Sequence, residues 1–285
     1  MMQTPIAMGG KRPLWIMELI AVWGFVQRNY FLTKRYIWWE LVWLAYTTAN
    51  TLSIGYIGLG AGAGSNDPEE VARLTTFLLI GALLWSYLSM LFDILAETVM
   101  WERWEGTIEY TFMSPVSRAT HLIGTSIYAV IYGILRMIVI LGAISLFFDL
   151  RLGDANYPAA LAILAIASVS LVGFGMVGSV MPLLSPEKGA QVTFIFASFL
   201  LLISGVYYQV DVLPEWMQTL ARFSPAYYAL LGIRAALEDG ASFGSQWHNV
   251  WPLILIGLVS VPLGIKIFEA GERFAKRTGR LKRSG

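Results

Sequence analysis

The chain has 285 residues, 56% of them hydrophobic and 14% charged, with a net charge of +1 and a mean hydropathy of +0.61. An ordinary soluble domain is about 45–50% apolar, so this composition places the chain in lipid as one membrane domain. The near-neutral charge argues against a nucleic-acid partner, which needs a basic face. The absence of cysteine excludes disulfides, thiolate zinc sites and iron–sulfur clusters, and two histidines, His121 and His248, are too few for a histidine-based metal site.

The first apolar run, Leu14 to Val26, is interrupted by Glu18 and flanked by Lys11, Arg12, Arg28, Lys34 and Arg35. It falls short of the about 20 residues needed to cross a bilayer, and no small-residue cleavage site follows it. Pro13 to about Tyr30 therefore reads as a helix lying along the membrane surface, started by a proline that fits a first helical turn. Six spans are expected next: Tyr36–Gly60, Leu74–Thr98, Ile123–Phe148, Tyr157–Met181, Ala190–Tyr208 and Trp251–Phe268. Each is close to crossing length. The division is a cytoplasmic N-terminus with the surface helix (1–35), a transmembrane domain (36–268) and a basic tail (269–285).

Basic residues near span ends favour the cytoplasmic side. The segment before the first span is basic, and so is the tail, with Arg273, Lys276, Arg277, Arg280, Lys282 and Arg283. Both termini are therefore expected in the cytoplasm, which requires an even number of crossings. The loops Ala61–Arg73 and Asp149–Asn156 lean acidic and fit the outer side. The third outer segment, Gln209–Val250, is long and half apolar, with Pro214 and Pro225 each opening a helix-like stretch. Two short re-entrant helices are expected there, dipping into the outer leaflet against protein, because irregular backbone cannot face lipid. Trp38, Trp39, Trp43, Tyr207, Tyr208, Trp247 and Trp251 cluster near span ends, as interfacial aromatics do.

Gly173-Phe174-Gly175-Met176-Val177-Gly178 has the glycine spacing of a dinucleotide-binding turn. That turn must join a strand to a helix beside water. Here it falls inside a span, so the glycines read as close helix packing, as do Gly58, Gly60, Gly62 and Gly64. Asp93 and Arg136 are the conspicuous intramembrane charges, each costing about 3 kcal/mol if left unpaired in hydrocarbon. Asp93 stands near the cytoplasmic end of span two and Arg136 near the middle of span three, so a direct pair needs tilt or snorkelling. Separate polar contacts are the alternative, and a place on a proton or substrate pathway is another. No nucleophile with a base, no clustered carboxylate pocket and no phosphate-binding loop is present.

The cytoplasmic segment between spans two and three runs from Trp101 to Arg118. Glu102, Arg103 and Glu105 form a charged cluster, Gly106 breaks the backbone, and Thr107 is placed to cap a short helix carrying Glu109 in its first turn. Pro115 ends that helix. The stretch Glu102-Arg103-Trp104-Glu105-Gly106-Thr107-Ile108-Glu109 through Ser114-Pro115-Val116-Ser117-Arg118 resembles the Glu-Arg-Glu-x-Gly-Thr-Leu-Glu and Ser/Thr-Pro-Val-Ser-Arg pattern of ABC-2 type permeases. Trp104 is an insertion relative to that pattern. A second stretch agrees: Gly205-Val206-Tyr207-Tyr208, Val212-Leu213-Pro214-Glu215-Trp216, Phe223-Ser224-Pro225-Ala226-Tyr227-Tyr228 and Arg234 resemble the family's outer re-entrant segment, with Ser224-Pro225 where Asn-Pro is usual.

The resemblance implies an all-α permease half that dimerises, most simply with an identical copy, and works with two ABC ATP-binding subunits that hold ATP and Mg2+. This chain itself carries no cofactor and no metal, and is no enzyme alone. Its place would be the cell inner membrane, among lipid. The resemblance assigns motor contact to the surface helix and to Glu102, Arg103, Glu105, Gly106, Thr107 and Glu109. It assigns the route to spans one, two and five, with Tyr46, Trp85, Phe92, Phe194, Ser198 and Tyr207 as lining. Spans rich in aromatic and aliphatic side chains favour export of an amphipathic drug-like or lipid-like molecule. Export of a lipid-linked polysaccharide or teichoic acid stays open. So do a membrane-embedded lipid-modifying enzyme using Asp93, Glu97 or His121, and a sensory or scaffold subunit that binds an ATPase without transport.

Overall fold

A computed structural model of the protein describes residues 13–62, 64, 67–150 and 154–279. Lys11 and Arg12 of the basic N-terminal segment, parts of the two acid-leaning loops, and Arg280, Lys282 and Arg283 of the tail lie outside the described residues. Regular structure among the described residues is helical throughout.

The surface helix α1 (Leu14–Arg35) has Pro13 at its N-cap, runs five residues past the expected end, and closes with Lys34 and Arg35 in its last turn. That placement of basic residues suits the negative end of the helix dipole. Its exposed side carries Leu14, Trp15, Leu19, Trp23 and Phe31, while Val26 and Asn29 are buried. Tyr36 separates it from α2 (Ile37–Gly62).

The longest helix, α3 (Pro68–Glu105), starts at Asp67, whose carboxylate accepts the Glu69 N–H at 2.9 Å, with Pro68 at the first helical position. It continues seven residues beyond the hydrophobic run that the sequence marks. After the short α4 (Ile108–Met113), α5 (Arg118–Ser145) begins at Ser117, whose hydroxyl accepts the Thr120 N–H at 3.1 Å. Helix α6 (Tyr157–Gly178) is capped by Asn156 and passes through Ser179 into α7 (Val180–Leu184). Then come α8 (Pro186–Ile203), a 3-10 turn at Val210–Val212, α9 (Glu215–Ala221), α10 (Pro225–Glu238) and α11 (Trp247–Arg277). The two expected short helices are α9 and α10, beginning next to Pro214 and at Pro225. The first part of the expected tail is helical, since α11 continues from Phe268 to Arg277 with Lys276 and Arg277 in its final turn.

Among the described residues, four helical stretches are long and apolar enough to cross a membrane: Pro68–Glu105, Arg118–Ser145, Tyr157–Leu184 and Trp247–Arg277. Helices α2 and α8, which hold the first and fifth expected spans, are not among the four.

The core forms around α3 and α6. Tyr87, Leu88, Leu91 and Phe92 pack with Ile163, Ala167, Leu171, Leu230, Ile233 and Leu253. Tyr87 keeps its hydroxyl satisfied by Ser168 Oγ at 2.6 Å, as a buried phenol requires. Helices α6 and α11 meet along small residues. A Cβ on Gly264 would fall 2.7 Å from the Gly173 carbonyl oxygen and 2.9 Å from Met176 Cβ, and one on Gly175 would fall 2.7 Å from Leu95. The Gly173–Gly178 pattern is thus a packing seam inside a helix. Gly58 and Gly62 play the same part where α2 meets Thr75 and Val71 of α3, whereas Gly60 and Gly64 face open space.

Candidate functional site

The joint between α3 and α4 turns on one residue. Gly106 has φ 74°, and its N–H donates to the Arg103 carbonyl at 3.3 Å, closing α3. A side chain is penalised in this left-handed conformation, so glycine lets a long helix stop and a six-residue helix start at an angle. Thr107 stands at the N-cap position of α4 without making a capping bond; its hydroxyl reaches back to the Glu102 carbonyl at 3.5 Å. The expected cap is therefore replaced by a tie to the end of α3. Ile108 and Phe112 anchor α4 in the core, while Glu109, Tyr110 and Met113 face outward.

The charged cluster divides by direction. Glu102 is fully buried (0% exposed) and Arg103 is buried, whereas Trp104 and Glu105 are exposed. Glu102 is the centre of a clamp: its Oε1 pairs with Arg28 of α1, and His121 Nε2 of α5 lies 3.2 Å from the same oxygen. Phe25 of α1 packs its ring 4.7 Å from the His121 ring. Glu18 accepts the Thr120 hydroxyl, and the Ser117 hydroxyl at 3.4 Å. At the other end of α1, the Tyr128 hydroxyl donates to Thr33. The Arg28–Glu102 and Thr120–Glu18 bonds are charge-assisted, the strong kind, and with the Tyr128–Thr33 bond they fasten α1 to α3 and α5 along its length.

A second clamp ties α4 and α5 to α11. Arg118 grips Glu272 through Nε at 2.7 Å and Nη2 at 3.0 Å, and also donates to the Phe112 carbonyl at 2.7 Å. Lys276 Nζ sits 2.6 Å from Glu272, and the Arg118 guanidinium lies 4.6 Å from the Phe112 ring centre. Of the residues in the two clamps, Glu102, Phe112, Ser117 and Arg118 lie in the segment that the sequence singles out. Glu18, Arg28, His121 and Glu272 lie outside it; the visible signal for Glu18 is a lone acid breaking an apolar run.

Within the apolar spans, Arg136 does not reach across to Asp93. Its Nη2 donates to Thr47 of α2 at 2.8 Å, so separate polar contacts are what the structure contains. Asp93 and Glu97 lie one turn apart on the exposed side of α3, and the Arg136 charge bears on both. Glu40 of α2 accepts the Tyr132 hydroxyl at 2.6 Å and also bears on Glu97. Tyr132 stacks on Tyr128 with ring centres 5.6 Å apart. Glu40, Thr47, Tyr132 and Arg136 thus form a polar patch between α2, α3 and α5 that sequence separation concealed.

The expected lining residues sit on α2, α3 and α8 and on the turn after α8. Both α2 and α8 pack on α3. Tyr46, Phe194 and Ser198 are exposed, and Trp85 and Tyr207 are half-buried. Phe92 is different: it is buried, edge-on to Phe196 with ring centres 6.1 Å apart, and Phe196 stacks on Phe174. Within this chain Phe92 belongs to the core and presents no surface.

The segment between α8 and α11 is held by Arg234 (8% exposed). Its guanidinium donates to the carbonyls of Gly205 at 2.8 Å, Val206 at 2.6 Å and Phe77 at 3.1 Å, and lies 3.5 Å from the Phe77 ring centre. Burial, partly offset by the Glu238 carboxylate, lowers its pKa to about 10, so it stays cationic at neutral pH. It fixes α10 to the start of α3.

The model of the ABC-2 type transporter family matches residues 18–237. The chain belongs to this family. As an ABC-2 type permease it resembles a probable multidrug ABC transporter permease, YbhR, of Escherichia coli, at 28% identity over 195 residues covering 66% of this chain and 48% of the relative. It also resembles the linearmycin resistance permease protein LnrN of Bacillus subtilis, at 23% identity over 175 residues covering 61% of this chain and 45% of that one. The chain spans about half the length of these relatives. For this multi-pass ABC-2 permease, the two clamps make the ends of α1, α3, α4, α5 and α11 one rigid block, with Glu105 and Glu109 on its exposed side.

Proposed function

We propose that this permease is the membrane-embedded half of an ATP-driven exporter that moves an amphipathic, drug-like or lipid-like molecule out of the cytoplasm or the inner leaflet. Its motor is a separate ABC ATP-binding subunit, present in two copies and holding ATP and Mg2+, and a second, identical permease completes the pathway. Six crossings by α2, α3, α5, α6 with α7, α8 and α11 put both basic termini in the cytoplasm of the inner membrane. Helices α9 and α10 re-enter from outside. The observation that carries the reading is the block at the α3–α4 joint. An outward Glu105 closes α3 and an outward Glu109 opens α4; one turn in, Glu102 is fastened to α1 and α5, and the Phe112 carbonyl of α4 is held by Arg118 of α5, which grips Glu272 of α11, so a push on the surface is delivered to the spans. The relatives named for multidrug and linearmycin resistance support an amphipathic substrate. The exposed aromatics Tyr46 and Phe194, flanking α3, supply apolar surface for such a molecule.

The test is co-expression with candidate ATPase subunits from the genomic neighbourhood, purification through a tag on this chain, and ATP hydrolysis with and without Glu105→Ala. Co-purification of an ATPase, with hydrolysis uncoupled or assembly weakened by the substitution, is the expected result. A chain that is stable alone and recruits no ATPase refutes the assignment.

A further inference from the structure

Between α9, α10 and the first turn of α11 lies an open cavity of about 490 Å³ that shares no residue with the clamps or with the α2–α3–α8 face. Ligand pockets occupy about 300–1,000 Å³. Its polar wall is Arg222 at the end of α9, Tyr227 and Tyr228 in the first turn of α10, and Gln246, His248 and Asn249 at the start of α11. No carboxylate lines it.

Several donors here are uncommitted. Gln246 is buried to 7% exposure, and its Oε1 is taken by the Asn249 amide at 2.7 Å. The Gln246 Nε2 hydrogens are left without a protein acceptor among the described residues, beside the cavity. The hydroxyls of Tyr227 and Tyr228 and the guanidinium of Arg222 also lack protein hydrogen-bond partners among the described residues. The two rings are set edge to face, 5.1 Å apart. Trp247 and Trp251, both exposed at the start of α11, mark the depth of a membrane interface. A group at that depth that accepts from several donors at once and carries unbalanced negative charge is a phosphate, the oxyanion for which arginine is suited.

We propose that this cavity binds the phosphate of an anionic headgroup at the outer membrane surface, with Arg222 supplying the charge and Gln246 a fixed donor. The outer placement rests on the topology proposed above. The full chain is reconstituted in nanodiscs of phosphatidylcholine with a minor fraction of phosphatidylglycerol, and retained phosphatidylglycerol is counted by native mass spectrometry. Arg222→Gln is expected to lower retention about fivefold, the effect of one cation at a lipid surface, while Arg222→Lys keeps most of it and both melt like the parent. Added inorganic phosphate that displaces the lipid shows that the free anion suffices. Retention unmoved by phosphate shows that the whole headgroup is read; either outcome supports the site. Equal retention by the parent and Arg222→Gln overturns it. A single cysteine at Val212, labelled by an impermeant reagent in cells, reports the side separately: labelling from the cytoplasmic face alone overturns the topology, and with it the outer placement.

Discussion

Replacing Arg28 by alanine isolates the clamp at the Glu105 end of α3. Glu102 is fully buried and its Oε1 is shared between Arg28 and His121. Removing one partner of a buried pair costs about 3–5 kcal/mol, because the remaining charge is stranded. Arg28 keeps 31% of its side chain exposed and His121 remains beside the carboxylate, so the low end, about 3 kcal/mol, applies. That figure corresponds to roughly a 150-fold rise in the undocked population of α1, at tenfold per 1.4 kcal/mol. Hydrogen exchange of α1 amides in nanodiscs reads this directly, since local opening limits exchange. Peptides from Leu14–Arg35 should lose protection by about two orders of magnitude, while the α6–α11 core stays unchanged. Adding Glu102→Gln to Arg28→Ala should recover much of the protection, because the stranded charge is gone. Unchanged exchange in Arg28→Ala, or a double variant as open as the single one, refutes the idea that burial of Glu102 is what makes Arg28 necessary.

Gly106→Ala places a Cβ in a left-handed conformation at a cost of about 1–2 kcal/mol; it should loosen the α3–α4 joint, seen as faster exchange at Arg103–Ile108, with little effect on α10. Arg234→Met removes three carbonyl bonds and leaves those acceptors buried, so the segment between α8 and α11 should open to protease by about 2 kcal/mol or more; equal cleavage rates would show that Arg234 is dispensable there. Gly264→Leu drives a side chain into the Gly173 carbonyl and Met176, and should lower thermal stability by about 3 kcal/mol or abolish folding, whereas Gly60→Leu, facing open space, should melt like the parent. Arg118→Ala strands Glu272 with only Lys276, and exchange at the end of α11 should rise, with Arg118→Lys restoring part of the protection.

Periodicity and run length mark most of the helices because lipid demands long apolar stretches, so α3, α5, α6 and α11 are visible as such. Their ends are less so. Hydropathy falls at the first charges, yet α3 runs on to Glu105 and α11 to Arg277, because helical hydrogen bonding continues through charged residues that find partners. Glu102 is the instructive case. In sequence it belongs to a charged cluster and reads as surface, but it sits seven residues after Leu95 on the same helix face. Both are buried, so its environment is inherited from the apolar stripe. The partners that make this tolerable, Arg28 and His121, lie on other helices, and a single sequence carries no record of which helices touch. The same limit hid the polar patch at Arg136, where Thr47 is the partner. Glycine and proline were the most legible signs: Gly106, Pro214 and Pro225 each stand where a helix stops or begins, because the backbone geometry depends on the residue itself.

Helix α3 is gripped at both ends, by Arg234 at Phe77 and by Arg28 and His121 at Glu102. With a rise of 1.5 Å per residue, the two grips are about 38 Å apart along an unbroken rod. A tilt of about 5° about one grip swings the other through about 3 Å, the width of a hydrogen bond. The rod therefore works as a lever: a tilt that pivots on the clamp at Glu102 must either carry the Phe77 carbonyl out of reach of Arg234 or drag α10 along with it.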